Sequence, residues 1–287
     1  MFKHRLATLL ALILLVGLLP VGAATAHDDD GDRYYLSLGD SVAAGMQQPL
    51  LFTDNGYTDV LFRRVRGEMD LTEHVNLACP GDDTAEMIDD VAVELATSDA
   101  GSLCYGNAAP QPPGGAHSQL DAALAFLAAH PGEVGLITIT IGANDILACD
   151  LNDPPPVLNA CLVTQMGQVG INLPVILTEL RGAAPGVPIV GMNYYNPNLA
   201  LWFTPVVGPT LAEDSNTLTA TFNGLLETLY GLFGVPVADV AGAFGTFNDK
   251  PGDPPRNVKL ACKFTLMCER VDGELTLRAH PDIHPSN

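Results

Sequence analysis

Basic residues are scarce in this chain. Lysine and arginine together number 13 against 33 aspartates and glutamates, which gives a net charge of −20 over 287 residues. Nucleic acids and anionic membrane surfaces repel a strongly negative protein, so we expect neither as a partner. The charge is more compatible with a neutral or cationic substrate.

Long apolar runs are also scarce, and the clearest one lies at the N-terminus. Lys3 and Arg5 give a basic start, Leu6–Leu19 is apolar, and the small residues Ala24-Thr25-Ala26 follow. This layout is typical of a secretory signal peptide, with a membrane anchor as the alternative. The apolar stretch is short for a span of about 20 residues. We therefore predict a signal peptide over residues 1–26 and a secreted, extracellular protein without a stable membrane anchor after cleavage.

The remainder of the chain is expected to form one domain. Residues 27–287 are numerous enough to bury a sizeable core. We predict that no segment after the leader is long and apolar enough to cross a membrane. No internal repeat or interdomain linker is visible in this part of the sequence.

No Cys-x-x-Cys pair occurs among the six cysteines, which argues against a zinc site. All six cysteines follow the predicted leader, and an even number in an exported chain indicates disulfides. Many pairings are possible, and we favour the sequential one because each of its loops is short. Its bonds are Cys79–Cys104, Cys149–Cys161 and Cys262–Cys268.

Short apolar runs alternate with stretches of helical spacing along the chain. The runs, predicted as strands, are Tyr34–Leu38, His74–Ala78, Val134–Ile141, Val187–Met192 and Val235–Val240. The stretches predicted as helices are Tyr57–Arg66, Thr84–Leu95, Ser118–Ala129, Val157–Leu180 and Leu211–Leu232. Such alternation favours a parallel sheet with helices on both faces. The third run is rich in β-branched residues and is expected at or near the centre of the sheet.

Three stretches rich in proline or glycine are predicted to be loops. They are Tyr105–Gly115, Asn152–Pro156 and Asn248–Asn257.

Two candidate functional residues follow the first two predicted strands. Ser41 lies in the glycine-rich turn after the first strand, where a serine hydroxyl would be exposed and could act as a nucleophile. A helix-capping role for this serine is the alternative. Gly81 follows the second strand, where a glycine lets its N–H approach a substrate closely. A plain turn glycine after Pro80 is the alternative there.

Two more candidates lie after the central strand and near the C-terminus. The side-chain amide of Asn144 could donate to an oxyanion without adding charge, although a capping asparagine is the alternative. His280 and His284 lie in a predicted C-terminal loop that could return to the edge of the sheet. Histidine can serve as a general base near neutral pH, and Asp282 could orient the His284 ring.

Together these blocks resemble the SGNH (GDSL) hydrolase family, secreted bacterial esterase or lipase type. The matching segments are Gly39-Asp40-Ser41, Gly81, Gly142-Ala143-Asn144-Asp145 and Asp282-Ile283-His284. The resemblance implies a flavodoxin-like, three-layer α/β/α sandwich with a five-stranded parallel sheet. It also implies a serine esterase that requires neither a metal nor a cofactor. A Gly-x-Ser-x-Gly elbow is absent from the sequence, which disfavours the usual α/β-hydrolase lipase.

The resemblance assigns a role to each candidate. Ser41 would be the nucleophile and His284 the base, with Asp282 as the residue that orients it. The backbone N–H groups of Ser41 and Gly81 and the side chain of Asn144 would form the oxyanion hole.

Two features depart from the family pattern. The family's ending is Asp-x-x-His, whereas Asp282 precedes His284 by only two residues, so a backbone carbonyl could orient the ring in its place. The family also continues into a covering helix where this sequence stops at Asn287. A missing C-terminal helix or a partly bare sheet edge is therefore expected.

The substrate is expected to be a small-molecule or lipid ester bound by a monomer. Tyr194, Tyr195, Trp202 and Phe203 follow the fourth strand and suit an acyl chain, which favours fatty-acyl esters. A carbohydrate acetylesterase is the second candidate. A catalytically silent secreted binding module of the same fold is the alternative that is not an enzyme.

Overall fold

A computed structural model of the chain describes residues 32–47, 53–88, 104, 117–150 and 153–286. The predicted signal peptide and the predicted loop Tyr105–Gly115 lie outside these residues, as does the second half of the helix predicted over Thr84–Leu95.

The centre of the fold is a five-stranded parallel sheet with the order β2-β1-β3-β4-β5. This is the strand order of flavodoxin-like folds. The bounds are β1 Tyr34–Gly39, β2 Glu73–Asn76, β3 Val134–Thr140, β4 Ile189–Met192 and β5 Val237–Ala238. All five predicted strands are confirmed, and β3, whose residues are all buried, is the middle strand.

The helices follow the strands in the alternating order that the sequence predicts. They are α1 Tyr57–Val65, α2 Thr84–Ile88, α3 Gln119–Ala129, α4 Ala143–Leu147, α5 Pro155–Ala183, α6 Gly208–Leu232, α7 Val240–Phe244 and α8 Arg256–Phe264. A 3₁₀ helix covers Pro197–Phe203. Ser118 caps α3 as expected, since its side chain accepts a hydrogen bond from the N–H of Asp121.

The two faces of the sheet carry different helices because successive strand residues point to opposite sides. Leu36 and Leu38 of β1 face a core that includes Leu127 of α3, Leu173 of α5 and Leu226 of α6. On the opposite face, Tyr35 of β1 and Leu136 of β3 form a second cluster with side chains of α1 and of the segment after it, namely Leu61, Phe62, Met69 and Leu71. These are the three layers that the sequence predicts.

Within the part of the chain that the structure describes, the face that carries α1 has an open groove. A groove of about 800 Å³ opens on it, with Leu136 and Met192 of the sheet among its lining residues. Tyr57 and Phe244 belong to its walls, and Pro285 lines it near the end of the described chain.

Helix α5 corrects two of the sequence predictions. It begins at Pro155, so Asn152–Pro156 is not a loop throughout: its last two prolines occupy the first helical turn, where their missing N–H groups cost nothing. This 29-residue helix is long and apolar enough to cross a membrane by length and composition alone. The prediction that no segment after the leader has that length and apolar character is therefore wrong. Core side chains such as Leu173 and Leu177 account for part of its apolar character.

The C-terminal region also differs from the prediction. Where a loop was expected around His280 and His284, the chain forms an antiparallel hairpin of β6, Thr265–Val271, and β7, Glu274–Pro285. The sequence analysis predicted no strand here, although Leu275, Leu277 and Ala279 alternate with polar residues along β7. The loop predicted over Asn248–Asn257 likewise gives way to helix α8 at Arg256.

The structure contains the three sequential disulfides. Cys79–Cys104 joins the loop after β2 to a distant part of the chain. Cys149–Cys161 ties the segment after α4 to α5, and Cys262–Cys268 ties α8 to β6.

Candidate active site

The turns after β1 and β3 meet at the carboxyl edge of the sheet. Gly39, the last residue of β1, pairs with Thr140, the last residue of β3, and the N–H of Asp40 donates to the Thr140 carbonyl at 2.9 Å. A side chain at Gly39 would clash with that carbonyl, and its φ of +137° also favours glycine. The close approach of these strands therefore places Ser41 and Asn144 at the same edge.

Ser41 lines a small cavity at this edge. The cavity has a volume of about 100 Å³ and is also lined by Asn144, Phe222 and Ile283. The carbonyl of Ser41 accepts from the N–H of Met46 at 2.9 Å, which closes the turn. Ser41 itself is partly exposed.

Asp40 fixes the turn from the buried side. Its carboxylate accepts from the N–H of Val42 at 2.9 Å and from the hydroxyl of Tyr194 at 2.6 Å. Burial raises the pKa of Asp40 to about 6, although the hydrogen bonds from Tyr194 and from the Val42 N–H act in the opposite direction.

The loop after β2 comes to the same edge. The N–H of Cys79 donates to the Gly39 carbonyl at 2.9 Å, and Gly81 then adopts a φ of +96°. Asn144 donates from its side-chain amide to the Asp82 carbonyl at 2.8 Å. That bond uses one of two amide hydrogens and leaves the other for a ligand. Within the described residues, the backbone N–H groups of Ser41 and Gly81 donate to no protein acceptor.

Gln119 bridges the turn that contains Ser41 and the Gly81 loop, a role that the sequence analysis did not predict. Its amide nitrogen donates to the Gly39 carbonyl and to the Asp82 carboxylate, both at 3.0 Å, while its oxygen accepts from the Gly39 N–H. The side chain is fully buried. A buried amide in a first helical turn carries no local pattern that would reveal it.

Asp145 forms a second buried support behind Asn144. Its carboxylate accepts from the hydroxyl of Thr84 at 2.6 Å and from the backbone N–H of Thr84 at 3.0 Å. Asn172 of α5 donates to the same hydroxyl at 3.0 Å. Burial raises the pKa of Asp145 to about 7, partly offset by the bonds from Thr84. Asp145 thereby joins the start of α4 to the start of α2.

His284 and Asp282 contact each other directly on β7. The Nδ1 atom of His284 lies 2.5 Å from Oδ1 of Asp282, and that oxygen also accepts from the His284 backbone N–H at 3.0 Å. Both residues are buried. The Nε2 atom has no hydrogen-bond partner within the described residues. The preceding residue, Ile283, lines the cavity that contains Ser41.

The four predicted substrate residues separate into two pairs. Tyr194 and Tyr195 line the Ser41 cavity. Trp202 and Phe203 are not among its lining residues; they pack against the side chains of Leu199, Ala212, Val258 and Ala261. The 3₁₀ helix turns this second pair away from the Ser41 cavity, which the sequence of the segment did not reveal.

Comparison with known proteins gives a family match. The sequence model of the GDSL-like lipase/acylhydrolase family matches residues 37–287. A search of curated proteins finds no match.

Several solved structures are similar to the chain. An extracellular lipase from Streptomyces rimosus is 14% identical with a TM-score of 0.49, over 74% of this chain and 82% of that one. A phospholipase A1 from Streptomyces albidoflavus NA297 is 16% identical with a TM-score of 0.47, over 75% and 82%. An acetylxylan esterase from Geobacillus stearothermophilus is 14% identical with a TM-score of 0.43, over 81% and 90%.

Proposed function

Because the chain belongs to the GDSL-like lipase/acylhydrolase family, we propose that it is a secreted serine esterase that hydrolyses carboxylic esters. The observation that carries this proposal is the Asp282–His284 pair on β7, the strand whose Ile283 lines the Ser41 cavity; the Nε2 atom of His284 has no partner among the described residues. A histidine held by a carboxylate at Nδ1 and unpartnered at Nε2 is arranged to accept a proton from a serine hydroxyl.

The reaction proceeds through an acyl-enzyme. Ser41 Oγ attacks the ester carbonyl carbon while His284 Nε2 takes the hydroxyl proton. The tetrahedral intermediate then collapses, the bond to the alcohol oxygen breaks, and His284 returns the proton to the leaving alcohol. Water attacks the acyl-serine with His284 again as base, which releases the acid and restores Ser41.

Three donors stabilise the negative oxygen of the intermediate. The backbone N–H groups of Ser41 and Gly81 have no protein acceptor among the described residues, and Asn144 has one amide hydrogen left over. Donors held in place before the reaction lower its barrier because they need no reorganisation. The disulfide at Cys79 and the bonds from Gln119 supply that rigidity to the Gly81 loop.

The cavity favours acyl groups of short to medium length. Its apolar lining comes from Ala143, Ile146, Leu147, Pro197, Leu218, Phe222 and Ile283. Its volume of about 100 Å³ is well below that of pockets that enclose drug-sized ligands, roughly 300–1,000 Å³. Only the first carbons of an acyl chain would be enclosed, with the remainder extending over exposed Leu147.

Carbohydrate acetylesterase activity is the second candidate. Asn198 and Thr219 also line the cavity, and such side chains can hydrogen-bond to sugar hydroxyls. A comparison of acetylxylan with tributyrin as substrate separates the two activities.

The test is hydrolysis of p-nitrophenyl esters from acetate to palmitate by the purified protein, with Ser41→Ala as the inactive control. We expect turnover that Ser41→Ala abolishes and a preference for short to medium chains. Leu218→Ala should shift the preference towards longer chains, whereas Trp202→Ala should leave it unchanged because Trp202 lies outside this cavity. Turnover that persists in Ser41→Ala would refute the proposed function.

A further inference from the structure

Two neighbouring tyrosines after β4 reach the two halves of the candidate active site. The Tyr194 hydroxyl donates to Asp40, the residue before Ser41, at 2.6 Å. The Tyr195 hydroxyl donates to the carbonyl of Ile283, the residue before His284, at 2.7 Å. One short segment is thus bonded to the turn of the nucleophile and to the strand of the base.

The segment that carries the tyrosines is itself held firmly. The side chain of Asn223 on α6 accepts from the Tyr194 N–H at 2.9 Å and donates to the Tyr194 carbonyl at 2.8 Å. Asn193 donates to Asp239 at 3.1 Å and accepts from the N–H of Ala241 at 2.9 Å. Asn223 and both tyrosines are buried, so water does not compete for the bonds between Asn223 and Tyr194.

Among the described residues, no strand pairing joins the segment of Ser41 to the segment of His284. Ser41 follows a strand of the five-stranded sheet, whereas His284 lies in a two-stranded sheet of its own among the described residues. No strand pairing therefore fixes the separation between them. A serine and its base must stay within hydrogen-bond reach, and a displacement of about 1 Å can cost about 100-fold in rate.

We propose that Tyr194 and Tyr195 are positioning residues that together set the separation of Ser41 and His284. The inference rests on the proposed esterase function. Both hydroxyls suit the role because burial raises the pKa of each tyrosine, so each keeps its proton and donates at neutral pH. The rings also have their own support, since Tyr195 stacks on Phe244 and Tyr194 on Phe222.

The kinetic test uses Tyr194→Phe, Tyr195→Phe and the double variant. Phenylalanine keeps the ring packing and removes only the hydroxyl. Each single variant should lower kcat about tenfold with KM unchanged, since the bonds affect catalytic geometry and not ester binding. The double variant should lose less than the product of the two single losses, because either substitution already releases the constraint.

The matched control is Tyr35→Phe. Tyr35 is also fully buried and its hydroxyl bonds to Thr138 at 2.7 Å, but it lies under α1, away from the Ser41 cavity. This variant should lose a similar amount of stability and keep its kcat. An unchanged kcat in both single variants, a change in KM alone, or fully multiplicative losses would overturn the proposal.

A second measurement does not depend on turnover. The ring signals of His284 in NMR spectra should shift in Tyr195→Phe and stay in place in Tyr35→Phe. Unshifted signals in Tyr195→Phe would overturn the positioning role of Tyr195. If the wild type showed no Ser41-dependent turnover, the proposed function would fail, while the NMR result would still decide whether Tyr195 positions the histidine.

Discussion

At the scale of single residues, the strand geometry of β7 explains how Asp282 reaches His284. Side chains at positions i and i+2 of a strand point to the same face. Because Asp282 and His284 are two residues apart on this strand, the carboxylate lies 2.5 Å from Nδ1 of the ring. In the structure, the partner of Nδ1 is the Asp282 carboxylate and not a backbone carbonyl.

Removal of the Asp282 carboxylate should impair the proposed base. Asp282→Ala leaves the ring free to rotate and its tautomer unfixed, so kcat should fall by about 10² to 10⁴. Steady-state kinetics on p-nitrophenyl butyrate measures this, with Asp249→Ala as an exposed control on a surface loop. A kcat within a factor of about two of the wild type would argue against an orienting role.

Removal of the Asn144 amide should weaken stabilisation of the oxyanion. Asn144→Ala should lower kcat by about 10² to 10³ with little change in KM. Asn172→Ala is the matched control, because it removes a side-chain amide that bonds to Thr84 instead of lining the cavity. Equal losses in the two variants would indicate that Asn144 acts through folding.

Short motifs indicate candidate residues where the pattern is local. Ser41, Gly81, Asn144 and His284 follow recognisable turns or a terminal motif, and the structure brings these segments to one edge. Gln119 and Asn223 act across 80 and 29 positions of sequence, so no nearby pattern marks them. Trp202 and Phe203 show the reverse case, in which suitable chemistry is turned away from the site by the backbone.

At the scale of elements, the loop after β2 depends on its disulfide. Cys79–Cys104 closes a loop with a sequence separation of 25, and Cys79 is two residues before Gly81. The double substitution Cys79→Ala/Cys104→Ala should cost roughly 3 kcal/mol of unfolding free energy. It should also lower kcat, because the Gly81 N–H would no longer be held in position.

The control for that prediction is Cys149→Ala/Cys161→Ala. Its loop, with a separation of 12, should cost a similar free energy while kcat stays near the wild-type value. Urea unfolding and p-nitrophenyl butyrate kinetics measure the two quantities. The account would be contradicted if kcat fell in Cys149→Ala/Cys161→Ala and stayed at the wild-type value in Cys79→Ala/Cys104→Ala.

Periodicity predicted the elements of the sheet better than those of the C-terminus. The strands β1 and β3 are continuous buried apolar runs, and their pattern is strong. None of the first eight residues of β7, residues 274–281, is buried, so this strand is not a buried apolar run like β1 and β3. Its pairing with β6 depends on tertiary contacts that no local propensity encodes.

At the scale of the whole molecule, two buried carboxyls link stability to pH. Folding raises the pKa of Asp40 to about 6 and that of Asp145 to about 7, above the ordinary value of 3.8. Between about pH 4 and pH 7 the folded state therefore binds more protons than the unfolded state, and stability falls as the pH rises through this window.

Replacement of Asp145 should reduce that dependence. The wild type should lose more unfolding free energy between pH 5 and pH 8 than Asp145→Asn does. Because both proteins experience nearly the same self-repulsion from the net negative charge, their difference isolates the carboxyl. Urea titrations at the two pH values provide the measurement, and parallel losses in the two proteins would contradict the assignment.

The most direct test of the central claim is covalent labelling of Ser41 by a fluorophosphonate. An activated serine displaces fluoride from such a reagent and forms a stable phosphonyl ester. Mass spectrometry of the digested protein should find the adduct on the peptide that contains Ser41, absent in Ser41→Ala and formed far more slowly in His284→Ala. An adduct on a different residue, or no adduct on the folded wild-type protein, would contradict the account.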